Sequence, residues 1–524
     1  MKARAIVTVA VLSCAIVSGG WLVQRGLIST GHTAMSARVD GARLFEQVLE
    51  RVQQEYVDSS AAQDVYRRAV DGLMLELGDP HSGYLTSDRL NRLNETTSGQ
   101  YAGVGLEIDV RDGWITVVRP IPSSPAEEAG LRTGDRVVEI NGKPTYRWTR
   151  EEAQKGLRGE AGTPITLAVE RFGAASRIPF RLTRRRIHIR PVQHSLMLRD
   201  GVGYVDLVAF SDSAAPELRR QIDSLRRQGM SRLILDLRND PGGLLDQGVA
   251  VAELFLDPGQ EIVSMRGRTP EVTRDYADRQ PQPWPDLMLS VLVDSNSASA
   301  SEIVAGALQD HDRAVLLGTT TYGKGSAQTV YSVEGGGLKL TIARWFTPSG
   351  RSITRPHGPA VNADSMKKLE ARAPKFRTAA GRAVNGNGGI RPDIVITDSA
   401  ASVAAITLTR AVGTKANDFR DVVTSYAMSF KSSGAIRESG FAVTPEMRGE
   451  LLRRLAERKV VIDSATARAA SAVLDRILAL QIERYVFGND AEFRRSLRDD
   501  QVVQRAVSLL ASAKSQKEAI ESIK

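Results

Sequence analysis

The chain opens with a mostly apolar run from Ala5 to Val23, preceded by Lys2 and Arg4. A basic flank before such a run reads as a secretory signal or a signal-anchor. Its length approaches the ~20 residues needed to cross a bilayer. No small-x-small cleavage site follows, which favours an anchor with its linker over residues 1–37. Beyond it, apolar positions recur at spacings of three and four. Leu44, Val48, Leu49 and Val52 form one stripe, and Val65, Ala69, Leu73 and Leu77 form another. The spacing predicts a helical region over 38–98, whose second helix stops at Gly78-Asp79-Pro80.

From 99 to 186 the texture changes to short alternating strands and glycine turns. GVGLEI and WITVVRPI read as strands, and SPAEEAGL as a short helix with Pro125 near its start. GDRVVEINGKP reads as a strand running into an Asn-Gly turn. Over 187–398 strands alternate with helices. RLILDLR is followed at once by NDPGG, and LMLSVLVD by SNSASAS and the helical EIVAGALQD. This rhythm predicts an α/β core. Within it, 357–389 has no period and reads as a long loop or insertion. From 399 to 524 helical spacing returns. The fold class expected is therefore α/β and multi-domain: a mixed α/β core, an inserted β-rich domain, and helical N- and C-terminal regions.

Composition narrows the function. Seventy Lys and Arg against 61 Asp and Glu give a net charge of +9, a mild bias over 524 residues. It suits an anionic membrane surface or acidic partners and gives little support to nucleic-acid binding. The single cysteine, Cys14, excludes an intramolecular disulfide and a cysteine-rich metal site. The six histidines show no HExxH or similar spacing, so no metal and no cofactor are expected.

The stretch 291–310, VLVDSNSASASEIVAGALQD, carries the chemistry. A buried strand runs through small polar residues into a helix, whose free N–H groups and dipole favour negative charge. A serine there can serve as a nucleophile. The plain alternative is that these serines only cap the helix, with Ser301 as N-cap. A serine nucleophile needs a base. His311, in QDHDR, reads as a loop residue, and no Ser-His-Asp order appears. Lys324, in TTTYGKGSAQ, is the other candidate, with Gln328 four residues on to bond the amine if the segment turns. Residues 318–324 also spell GxxxxGK, the opening of a nucleotide-binding loop. Gly325 stands where that loop needs Ser or Thr, and strand-like SAQTVYSV follows.

These segments resemble the carboxyl-terminal processing proteases, serine peptidases with a Ser–Lys dyad and a PDZ domain. The matching stretches are LFEQVLERVQQEYVD, LGDPHSGYL, YAGVGLEI, GLRTGDRVVEINGKP, LILDLRNDPGGLL, SNSASASEIVAGALQDHDRAVLLGTTTYGKGSAQ and GGIRPDIVI. They run in family order from about residue 40 to 396. The resemblance implies Ser299 as nucleophile, Lys324 as general base, Gln328 as its orienting partner and Asp310 in a supporting role. It implies an oxyanion hole from the Ala300 amide and one from the Gly242-Gly243 turn. The 99–186 region becomes a PDZ-like domain, with Val104, Gly105 and Leu106 in its peptide-binding loop.

The function implied is an extracytoplasmic serine endopeptidase at the periplasmic face of a bacterial inner membrane, exported through or anchored by its N-terminal segment. It would recognise proteins or peptides with free C-termini and cleave near those ends. A silent PDZ scaffold that binds tails without cutting is the alternative. Intact Ser299, Lys324 and Gln328 argue against it. Residues 399–524 lie outside the resemblance and leave open a dimerisation domain, an adaptor site or a lid, so a homo-oligomer or adaptor partner stays open too.

Overall fold

The computed structural model describes residues 32–58, 61–171, 174–356, 368, 371–397 and 399–523. The apolar run 5–23 and most of 357–370 lie outside the described residues. No helix among the described residues is long and apolar enough to cross a membrane. The chain divides into two compact units, one of residues up to Ser87 with Thr329–Thr341, the other of Asp88–Gln328 with Ile342–Lys524.

In the first unit, helices His32–Glu55 and Ala62–Glu76 lead to the strand Gly83–Thr86. That strand pairs antiparallel with residues 336–339. The expectation of helix alone over 38–98 fails here, because Tyr84, Leu85 and Thr86 follow the Gly-Asp-Pro stop and suit an extended chain. A helix, Ser87–Ser98, then continues into the second unit.

The second unit begins with a β-rich region. Gln100–Gly103 pairs with Arg185–His188 and ties the two ends of the region together. Between them the sheet runs, in spatial order, Leu106–Arg111, Trp114–Pro120, Arg136–Ile140, Pro164–Glu170 and Ile178–Thr183. Leu106–Arg111 is an edge strand. Helix Arg150–Leu157, capped by Thr149 and Glu152, buries Ala153 and Leu157 against Val104, Ile108 and Ile140.

The α/β core is built on β1 (Ser195–Met197), β2 (Val202–Asp206), α1 (Ala214–Arg227), β3 (Arg232–Asp236), α2 (Leu245–Glu253), β4 (Met288–Val293), α3 (Ala300–Asp310), β5 (Val315–Gly318) and β6 (Ile394–Val395). The strands stand in the order β1 to β6, with β1 antiparallel and the others parallel. The connections between the parallel neighbours β2 to β5 carry α1–α3, which share one core cluster on one face of the sheet. Period-two burial matches. Val205, Leu233, Leu235, Leu289, Val291 and Leu316 pack with α1–α3. Val202, Tyr204, Ile234, Leu292, Val315 and Leu317 face the other way.

That second face is covered by the end of the chain, helices Gln501–Ser512 and Gln516–Glu521. Removing residues 501–524 is therefore expected to leave the protein insoluble. Val503, Val507, Leu509, Leu510 and Ile520 each contribute about 1.5–3 kcal/mol of burial, which rivals a domain's net stability of about 5–15 kcal/mol. Soluble yield and dye binding to exposed apolar surface would show it, and a truncated chain that melts like the full one would refute it. The remaining C-terminal helices, among them Ser399–Val412, Ala416–Ser433, Pro445–Glu457 and Ser471–Ile482, share a separate apolar core.

Two hairpins depart from the sequence reading. Glu261–Gly267 pairs with Arg274–Ala277, outside the elements expected from the sequence pattern. Lys375–Arg377 pairs with Ala383–Asn385 inside the segment read as a loop without period. Each arm of the second hairpin has only three residues, too few for periodicity to register.

Candidate active site

Three turns leave the carboxyl ends of the adjacent parallel strands β3, β4 and β5, the place where open α/β sheets bind ligands. The first carries Asp240-Pro241-Gly242-Gly243, the second Ser295–Ser299 and the third Thr319–Lys324. Backbone and side-chain bonds lace them together. Ser297 Oγ donates to Leu237 O at 2.8 Å, and Ala298 N to Asp240 O at 3.0 Å. Tyr322 N donates to Ser297 O at 3.0 Å.

Ser299 is the residue just before α3, with φ 57 and ψ −114. A non-glycine residue at that φ is strained, and such strain persists only where surrounding structure enforces it. Ser301 is not the N-cap; it is the second residue of the helix, and its Oγ donates to Asp240 O at 2.9 Å. All of α3 is buried, whereas Ser299 is half-exposed. Gly242 lies against this turn. Its φ is +89, and a Cβ there would meet Ala298 O at 2.5 Å and the Ser299 Cβ at 2.8 Å, so only glycine fits. Asp240 holds the turn by accepting from Gly242 N at 2.8 Å. Burial pushes its carboxyl well above the usual range.

Lys324 is half-buried in the third turn. The turn is backed by Arg355 N donating to Gly323 O at 2.9 Å, and by Thr321 N donating to Ile390 O at 3.1 Å. At Gly323, φ is +89 and a Cβ would lie 2.4 Å from the Arg355 Cβ. After Lys324 the chain enters the strand Ser326–Val333 rather than a turn or helix. That excludes the nucleotide-loop geometry, which needs a helix there. Gln328 sits on this strand, half-buried, with Nε2 donating to Ser326 Oγ at 2.9 Å.

The residue that joins these turns is Glu302, which motif reading passed over. It is fully buried in the first turn of α3. Oε2 accepts from Ser299 N at 2.8 Å and from Lys324 N at 2.9 Å. Oε1 accepts from Thr321 Oγ1 at 2.5 Å and from Gly323 N at 2.6 Å. Sharing one oxygen keeps the Ser299 and Lys324 nitrogens within about 6 Å of each other. Burial pushes the Glu302 carboxyl up, and its four donors offset part of that. The signal in the sequence was a glutamate three residues after an N-cap serine, the pattern of a capping box.

Asp310 stands at the other end of α3, eleven residues or about 16 Å along the axis from Ser299. It receives Arg351 Nη2 at 2.8 Å, Thr347 Oγ1 at 2.5 Å and Ser349 N at 3.0 Å. It anchors the 347–351 turn and does not reach Ser299. Both members of the Asp310–Arg351 pair are buried, so removing one leaves an uncompensated charge. Asp310→Ala is expected to cost about 3–5 kcal/mol of stability. Chemical denaturation would register that loss, and an unchanged midpoint would contradict it. His311 is also remote, its Nε2 bonded to Glu261 O at 2.6 Å.

In the β-rich region, Val104 is buried and Gly105 has φ +79, at the entry to the edge strand that Leu106 begins. Val104 O accepts from Ala126 N at 2.9 Å, and Gly105 O from Ile121 N at 2.9 Å. No group of three or more His, Cys, Asp or Glu among the described residues could hold a metal ion.

Comparison with known proteins identifies the family. Residues 201–364 match the model of peptidase family S41, and residues 116–171 match a PDZ domain. The carboxy-terminal-processing protease of Bartonella bacilliformis is 38% identical over 59% of this chain and 71% of its own length. A CtpA-like serine protease of Staphylococcus saprophyticus is 34% identical over 64% of this chain and 66% of its own. The solved structure of the photosystem II D1 C-terminal processing protease is 28% identical, with 68% of this chain and 87% of that one covered and a TM-score of 0.38. An α/β core whose serine and lysine turns are clamped by one glutamate thus sits in a chain that belongs to peptidase family S41, the carboxy-terminal-processing serine proteases.

Proposed function

We propose that the protein cleaves polypeptides near their C-termini with Ser299 as nucleophile and Lys324 as general base. The observation that carries this reading is the Glu302 oxygen shared by the Ser299 and Lys324 amides. In the reaction, neutral Lys324 takes the Ser299 proton as Oγ attacks the peptide carbonyl. The tetrahedral intermediate collapses, the amine leaves with a proton from Lys324, and water releases the acyl-enzyme. The resemblance gives Gln328 the orienting role, although Ser326–Val333 is a strand and not the turn that would fold Gln328 back onto the amine.

The oxyanion lies between the Ala300 amide and the Gly242-Gly243 turn. Ala300 opens α3 and has no intrahelical acceptor for its N–H. Gly242 O accepts from Phe210 N at 3.1 Å, so the Gly243 N–H across the same trans peptide points away from Phe210. Each donor is worth about 3–4 kcal/mol at the transition state.

The tail binds at Val104–Leu106. The carbonyls of Val104 and Gly105 point inward to residues 126 and 121. The following N–H groups, of Gly105 and Leu106, therefore point outward and receive a terminal carboxylate. The tail then adds as a strand to the free edge of Leu106–Arg111. The basic flank and apolar run at 2–23 support an activity outside the cytoplasm, tethered to or exported through the membrane.

The test uses wild type and Ser299→Ala, residues 32–524, with unstructured peptides that differ only in their last residues. Fragments are read by mass spectrometry. Cleavage by wild type alone, changing with the tail, is expected. Equal cleavage by both would remove Ser299 from its role. Binding by both without cleavage by either would favour a scaffold.

A further inference from the structure

The edge strand that receives the tail is blocked at its far end by the C-terminal helical region. Asp112 and Gly113, with φ 48 and 76, make a two-residue hairpin loop in which Arg111 pairs with Trp114. In such a hairpin the flanking pair exchanges hydrogen bonds, and the register alternates from there. Val110 opposite Ile115, and Ile108 opposite Val117, are thus non-bonded pairs whose N–H and C=O face the free edge. These are the groups a docked tail would use.

Ile108 and Val110 differ in what meets them. The N–H of Val110 donates to Asp109 Oδ1 at 2.9 Å. Its carbonyl accepts from Arg420 Nη2 at 2.8 Å, and Arg420 lies on the helix Ala416–Ser433. The guanidinium is fixed there by Asp109 Oδ2 at 3.2 Å from Nη1. Asp109 is further held by Arg150 Nη2 at 2.9 Å, and its side chain is only 14% exposed. Next along the helix, Asp421 Oδ2 accepts from Asp112 N at 3.3 Å. Arg111 Nη1 donates to the Tyr485 hydroxyl. The hairpin end is therefore gripped at four successive residues, 109 to 112, each by a group from residues 416–485.

We infer that Arg420 closes the outer end of the tail-binding edge, so that the groove reads only the last four residues of a substrate. This rests on the proposed binding of tails at Val104–Leu106. A tail with its carboxylate at that loop runs antiparallel to Leu106–Arg111. Its third residue from the end meets Ile108, and its fifth would meet Val110. The Val110 rung is occupied, so residues further upstream must leave the sheet. Specificity then comes from a C-terminal tetrapeptide, and the rest of the substrate is free to turn away.

The experiment uses the Ser299→Ala chain, which holds peptides without cutting. A tail is first selected from a randomised tetrapeptide pool. It is then synthesised as a fluorescein-labelled tetrapeptide and as a nonapeptide with five neutral residues added upstream, and binding is followed by anisotropy. In the Ser299→Ala chain the two are expected to bind within twofold of each other. With Arg420→Ala added, the nonapeptide gains at least fivefold while the tetrapeptide is unchanged. Arg420→Gln serves as a milder second variant, and equal melting temperatures confirm that the fold is kept. A nonapeptide that already binds fivefold tighter before Arg420 is changed, or no gain in either variant, overturns the inference. Failure to select any tail, or equal binding of a C-terminally amidated peptide, refutes tail recognition itself and the inference with it.

Discussion

Lys324→Arg and Ser299→Ala are each expected to lower kcat/KM for peptide cleavage by about 10⁴-fold or more, while tail binding stays as in wild type. A serine hydroxyl is a weak nucleophile until a base takes its proton. The nearest histidine in the chain, His311, is committed to Glu261 at the far end of α3, which favours the proposed assignment of the base to Lys324. Lys324 is delivered by the turn whose backbone shares an acceptor with Ser299. Arginine keeps the charge and much of the length of lysine, but its guanidinium stays protonated and cannot accept a proton. Lysine-to-arginine exchange therefore separates base chemistry from charge, and Lys324→Met serves as the uncharged comparison. Initial rates on the preferred tail peptide, together with anisotropy binding, measure both quantities. An arginine variant that cuts at more than a tenth of the wild-type rate would exclude Lys324 as the base.

Much of this arrangement was legible in the sequence, and the exceptions have physical reasons. The core strands read clearly because both faces of the sheet are buried and their runs are almost wholly apolar, as in RLILD and MLSVLV. Gly242 and Gly323 were visible as glycines, but their need became evident only through the backbone and side chains that press on them. Glu302 was passed over because a buried carboxylate among apolar helix residues looks like any first-turn glutamate. Its value comes from donors 19 to 22 residues later, which only the fold brings near. The service of helices Gln501–Ser512 and Gln516–Glu521 was equally hidden. Their stripes predict a buried face, but a stripe does not say which sheet it covers. Arg420 stands in the same position: an ordinary helical arginine by pattern, and a cap on Val110 by placement.

Glu302→Gln is expected to lower kcat by about 10²-fold with little change in KM. The carboxylate accepts from four donors: Ser299 N and Lys324 N on Oε2, Thr321 Oγ1 and Gly323 N on Oε1. An amide must set its NH₂ group against one of these pairs. The pair at Oε2 consists of two backbone N–H groups that cannot rotate. The pair at Oε1 includes the Thr321 hydroxyl, which can turn its proton away and accept. The amide nitrogen is thereby forced to the Oε1 side, where Gly323 N–H loses its acceptor. An unsatisfied buried donor costs about 1–3 kcal/mol, and the lysine turn relieves it by moving. A displacement of about 1 Å at a reacting group is enough for a 10²-fold loss. The tail binding proposed at Val104–Leu106 does not involve this carboxylate, so KM should hold. Hydrogen exchange at residues 321–324 should quicken while that of β3 and β4 does not. A variant with wild-type kcat, or one in which KM rises as much as kcat falls, would remove Glu302 from the role of positioning the two turns.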